Sequence, residues 1–75
     1  TNREDVRKLR KAVDTVLNDQ ERQVIVLRYG LGGGTARRQR EVADITGISR
    51  SYVSRIETRA LKKLRKALES EGYTV

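Results

Sequence analysis

Apolar positions recur along this chain three or four residues apart, the spacing of one face of an α-helix. Val6, Leu9, Val13, Val16 and Leu17 form a single stripe, which predicts an amphipathic first helix. Asn2 would cap it, with Glu4 and Asp5 in the first turn, where the helix dipole favours acids. Asn18 then stands three residues before Glu21, the spacing of a capping box, so a second helix is expected at once. Its Val24, Ile25, Val26 and Leu27 are apolar on more than one side, which predicts a central helix. Arg28, Tyr29 and Gly30 should end it, glycine being suited to a left-handed C-terminal position.

The run Gly30-Leu31-Gly32-Gly33-Gly34-Thr35 is the one flexible stretch. A phosphate-binding loop would need a strand before it and Gly-Lys-Ser/Thr after it, and neither is present, so the run reads as a connector between two helix pairs.

The pattern from Gln39 onward is more specific. Ala43 is small enough for a close helix crossing, and Gly47 can take the positive φ of a tight turn. Ile48 buries in the angle between two helices, Ser49 caps the second, and Val53 and Ile56 turn its inner face to the core. These spacings define a helix-turn-helix over about residues 39–59. Thr46 stands where a larger aliphatic is usual and Ile45 falls outward: either the helix is slightly rotated or Ile45 meets a partner. Ala60, Leu61, Leu64 and Leu68 extend the inner stripe, so the second helix should run about five turns and stop before Gly72.

Charge supports this reading. The net charge is +7, and residues 37–66 hold ten Lys or Arg against three acids. Such a footprint suits a polyanion, either nucleic acid or an anionic membrane surface, and a solvated helix face is the plain alternative. The motif favours DNA, whose major groove would receive the N-terminal turn of the second helix. Arg50, Ser51, Ser54 and Arg55 are then the base-facing residues, with Arg59 further along. Arginine can bond guanine O6 and N7 together, while the two serines read by close approach or contact phosphate. Tyr52 either flanks the DNA backbone or packs partly buried, and Arg55 alternatively pairs with Glu57 or Asp44. Lys62, Lys63, Arg65 and Lys66 are expected on the solvent side as phosphate- or partner-seeking charges.

The chain has no cysteine or histidine and no apolar run long enough for a membrane span. Disulfides, thiolate or imidazole metal sites and catalysis are not expected, nor is any cofactor. One cytoplasmic domain over residues 1–75 is the expectation, and the opening Thr1-Asn2-Arg3 suggests part of a longer protein.

Four segments carry a family resemblance: Leu-Arg-Tyr-Gly-Leu (27–31), Gln-Arg-Glu-Val-Ala (39–43), Gly-Ile-Ser-Arg-Ser-Tyr-Val-Ser-Arg-Ile-Glu (47–57) and Arg-Ala-Leu-Lys-Lys-Leu-Arg (59–65). Over roughly residues 9–68 the sequence resembles region 4 of bacterial RNA polymerase sigma factors, and within that family it is most similar to sporulation-type members such as sigma-K and sigma-E. The resemblance implies an all-α domain of four to five helices containing a helix-turn-helix, of winged-helix-like or sigma-region-4 type. It implies recognition of the −35 element of double-stranded promoter DNA and docking on the β-subunit flap of core RNA polymerase, with an anti-sigma or activator protein as a further partner. Arg50, Ser51, Ser54 and Arg55 match the family's base readers. Arg28, Arg38, Gln39, Arg40, Ser49, Tyr52, Arg59 and Lys62 are the backbone candidates, and Leu27, Leu31, Leu61 and Leu64 the flap- or regulator-facing ones, though core packing explains those four equally well. The family usually caps its first motif helix with a threonine. Arg37-Arg38 stand there instead, and Thr35 is the candidate cap. Ser51 and Arg55 replace the acid and amide common in housekeeping members, so the promoter sequence should differ too.

Two other readings remain. A free-standing helix-turn-helix regulator would normally carry a dimerisation element, and none is evident, so a monomer bound to the nucleoid is expected. A domain chiefly bound by an anti-sigma protein would use the same surfaces.

Overall fold

The computed structural model describes residues 3–70, and of residue 5 the backbone alone. Helix α1 spans Arg3–Val16, α2 Asp19–Tyr29, α3 Gln39–Thr46 and α4 Arg50–Ser70. There is no strand among the described residues. The expected cap Asn2 and the stop before Gly72 lie outside them.

Local chemistry accounts for the breaks. The last carbonyls of α1 lack full intrahelical partners, and the Arg22 guanidinium takes up those of Val13 and Asp14 at 3.3 and 3.1 Å and, just past the helix, that of Leu17 at 3.0 Å. Helix α2 opens on the expected capping box: the Asn18 side chain accepts from Glu21 N–H at 2.8 Å, and Asn18 N–H donates to Glu21 Oε1 at 2.9 Å. It closes at Gly30 with φ 68°. A Cβ at Gly30 would lie 2.6 Å from the Gly34 oxygen, so both backbone angle and space require glycine there.

The start of α3 corrects the expectation for Thr35. The N-cap is Arg38, whose side chain has only donors, so the helix start rests on Arg38 N–H donating to Glu41 Oε1 at 2.9 Å. Half of a capping box suffices.

Two apolar clusters form the core. Ala12, Val13 and Leu17 of the α1 side meet Ile25, Ala60 and Leu64, while Val24 packs with Val42, Val53 and Ile56. The adjacent Val24 and Ile25 thus face different clusters, which is how an all-round apolar α2 becomes central. Helix α4 serves both clusters. Its 21 residues give a length of about 31 Å at 1.5 Å per residue, nearly the whole 35 Å long axis of the molecule.

Three stripe positions are on the surface instead: Val6, Val16 and Leu61 are 47, 38 and 40% exposed. The inner face of α1 is the i, i+4 line Leu9–Val13–Leu17 with Ala12, and Val16 flanks it. On α4 the inner line is Val53, Glu57, Ala60 and Leu64, and Leu61 sits at its edge.

Candidate nucleic-acid interface

The turn between α3 and α4 follows from three small residues. Gly47 has φ 75° and donates its N–H to the Ala43 carbonyl at 2.9 Å. No atom would meet a Cβ there, so the requirement is backbone conformation alone. Thr46 Oγ1 returns to the Val42 carbonyl at 2.7 Å, and Ser49 Oγ accepts the Tyr52 N–H at 3.2 Å, capping α4. Helix α3 turns Val42 fully inward and leaves Ile45 half exposed, on the outward side where the sequence pattern puts it. Ile48 is half-buried against the second cluster.

With Val53 and Ile56 fully enclosed, the opposite face of α4 is free. Arg50, Ser51, Tyr52 and Arg55 are exposed there and Ser54 is half-buried. A concavity lies between the N-termini of α3 and α4, lined by Arg38, Gln39, Arg40, Glu41 and Arg50. A second, lined by Gln39, Arg50, Ser51 and Ser54, shares Gln39 and Arg50 with it. Three arginines against one acid on an open surface suit a chain of phosphates with bases beside it.

The ion-pair reading of Arg55 is corrected, since it contacts neither Glu57 nor Asp44 among the described residues. Tyr52 belongs to neither core cluster and is 42% exposed, against the packing alternative. Lys62, Arg65 and Lys66 are exposed, as expected, and make no ion pair among the described residues. Lys63 does not follow them: its Nζ lies 2.8 Å from Glu21 Oε1, and Arg59 Nε donates to Glu21 Oε2 at 3.0 Å. Arg28 is likewise engaged, Nε on Glu57 Oε1 at 3.1 Å and Nη1 on the Arg37 carbonyl at 3.1 Å. Its guanidinium carbon stands 5.5 Å from the Tyr29 ring centre. Of the four leucine candidates, Leu64 is in the core, Leu27 and Leu31 pack half-buried against it, and Leu61 alone reaches the surface.

Two buried acids were not singled out as site residues from the sequence. Glu21 is fully enclosed and Glu57 is 7% exposed. Burial pushes the Glu21 carboxyl up, but the Lys63 ammonium, the Asn18 N–H and the Arg59 guanidinium together bring it below its ordinary 4.5. Glu57 accepts from Arg28, from Gln39 Nε2 at 3.0 Å and, at Oε2, from the Tyr29 hydroxyl at 2.8 Å. Burial and that carboxylate raise the Tyr29 pKa above its ordinary 10.0, with Arg28 opposing. A signal was available. Glu57 lies four residues after Val53 and three before Ala60, and Glu21 three before Val24, so periodicity places both acids on inner faces.

The family model described as Sigma-70, region 4 matches residues 15–66. The chain is 50% identical over 52 residues to RNA polymerase sigma-E factor of Clostridium acetobutylicum, covering 69% of this chain and 22% of that protein. It is 50% identical over 60 residues to RNA polymerase sigma-28 factor of Bacillus thuringiensis, and to RNA polymerase sigma-K factor of Bacillus subtilis over the same length. These two alignments each cover 80% of this chain, and 25% and 20% of the respective relatives. The chain therefore spans about a fifth to a quarter of the length of these three relatives.

Proposed function

Because the chain belongs to the sigma-70 region 4 family, we propose that it reads the −35 element of promoter DNA for RNA polymerase, as the promoter-recognition domain of a sporulation-type sigma factor. The observation that carries this is the basic double concavity at the paired N-termini of α3 and α4, with the free face of α4 beside it. Arg50, Ser51, Ser54 and Arg55 enter the major groove and meet base edges. Arg38, Gln39, Arg40, Ser49, Tyr52 and Lys62 hold the phosphates and fix the register. Arg28 and Arg59 each retain guanidinium N–H groups beyond those used on Glu57, the Arg37 carbonyl and Glu21. Phosphate contact by either therefore needs no broken ion pair.

The domain performs no catalysis in this reading. It acts in the cytoplasm at the nucleoid, as a monomer attached through its sigma factor to core polymerase. The β-subunit flap is its docking partner, Leu61 being the exposed member of the leucine set, and an anti-sigma protein would compete for the same surfaces.

Footprinting of the sigma factor containing this chain, with and without core polymerase, tests the reading. Protection centred near −35 and dependent on polymerase is expected. A stable dimer of the chain protecting a palindrome would replace the proposal with a free-standing regulator. Arg55→Ala should weaken binding at particular base pairs, by about 1–3 kcal/mol there. Lys62→Ala should weaken all duplexes alike and lower the salt slope by about one unit.

A further inference from the structure

We infer that Glu57 is a positioning residue for DNA reading: without touching DNA, its carboxylate fixes the N-terminus of α3 against the recognition helix. The inference rests on the DNA-binding reading above and deepens it.

The two concavities share Gln39, the first residue of α3. The amide of Gln39 is held by Glu57 Oε1 at 3.0 Å. That same oxygen takes Arg28 Nε, and Arg28 Nη1 holds the carbonyl of Arg37, two residues before α3. Oε2 takes the Tyr29 hydroxyl from the last residue of α2. One carboxylate on α4 therefore gathers the end of α2, the approach to α3 and the first residue of α3.

No side-chain acceptor on Arg38 anchors this approach, since arginine has only donors. The buried side chain of α3 that packs in the core is Val42, one turn further along. An apolar residue at the inner-face position of Glu57 would carry no desolvation cost of a carboxylate. What an acid adds there is direction, because three donors, two from the end of α2 and one from the start of α3, converge on two oxygens.

The test uses this chain with Glu57→Ala, Glu57→Gln, Gln39→Ala and the double variant Glu57→Ala/Gln39→Ala. Two probes are bound: a duplex enriched from a random-sequence pool by the unaltered chain, and the unenriched pool. Glu57→Ala is expected to lower the affinity ratio between the probes about tenfold, with the salt slope unchanged. Glu57→Gln should restore most of the ratio, since its amide oxygen accepts from Arg28 and Gln39 and its amide nitrogen donates to the Tyr29 oxygen. In the ratio, from which a phosphate contact of Gln39 cancels because both probes share it, the double variant should lose no more than Glu57→Ala alone.

A carboxylate acting only through its charge predicts otherwise. Both Glu57 variants would then bind both probes more tightly, with a steeper salt slope, and that result overturns the proposal, as would additive losses. If Glu57→Ala melts, Glu57→Asp takes its place, withdrawing the carboxylate by one methylene.

Nuclear magnetic resonance on the free chain reads the same positioning without DNA. The Gln39 side-chain amide and the backbone amides of residues 38–41 should shift in Glu57→Ala and return in Glu57→Gln, at retained helix content. Unmoved resonances overturn the inference. Should the unaltered chain enrich no sequence, the DNA-binding reading fails, while the resonances still decide the role of Glu57.

Discussion

Replacing Glu21 by glutamine tests how α2 and α4 are tied. The substitution keeps size and shape but leaves one acceptor oxygen where two now serve three donors: Asn18 N–H and Lys63 on one oxygen, Arg59 on the other. Whichever way the new amide turns, its N–H₂ faces a donor. Removing one partner from a fully buried pair costs about 3–5 kcal/mol, but the cations here are not buried. The side chains of Arg59 and Lys63 are 49 and 41% exposed and can recover water. Their share is therefore discounted toward the surface-pair range, about 0–1 kcal/mol each. Losing one bond inside the enclosed site adds about 1 kcal/mol. The expected loss is about 2 kcal/mol, and at this chain length each kcal/mol shifts the melting temperature by about 4–8 °C. Thermal and urea unfolding followed by circular dichroism at neutral pH measure it. The pH dependence gives a second check. Because the folded-state pKa of Glu21 is lowered, its contribution is present above about 4.5 and is lost as pH falls through the lower folded value. The gap between the two proteins should narrow over that acid range. A variant as stable as the parent at neutral pH, or a gap unchanged in acid, refutes the argument.

Two further outcomes follow from the backbone and from Tyr29. Gly47→Ala meets only the positive-φ penalty and should cost about 1 kcal/mol. Gly30→Ala adds backbone overlap with Gly34 and Ala36 and should be clearly worse, so equal melting temperatures for the two variants would contradict the geometry. The raised pKa of Tyr29 means that its contribution is complete below pH about 10.0 and is lost as pH rises through the folded value. Tyr29→Phe should abolish that alkaline loss, and a parent-like alkaline unfolding curve would assign it elsewhere.

What the sequence disclosed was local. The capping box at Asn18, the left-handed glycines 30 and 47 and the Ser49 cap each depend on residues within four positions, where the chain's own stereochemistry decides the outcome. The free face of α4 was legible for the same reason, as the complement of the Val53–Ile56 stripe. The pairings of Arg28, Arg59 and Lys63 were not. Their acids lie 29, 38 and 42 residues away, and an exposed-looking cation gives no sign of a buried partner on another helix. The expectation for Thr35 fails because it requires a capping acceptor on a side chain ahead of the helix. The helix instead starts on the acid three residues in.

Helix α4 keeps two sets of positions on one rod. Val53, Ile56, Glu57, Ala60 and Leu64 maintain the fold, while Arg50, Ser51 and Arg55 contribute nothing to either cluster. A duplicated gene can therefore exchange the second set without endangering the first. If α4 reads DNA as proposed, new targets become accessible through single substitutions that leave folding intact, with half-buried Ser54 and the Glu21-paired Arg59 constrained by both demands. In such a lineage, binding preference diverges faster than architecture.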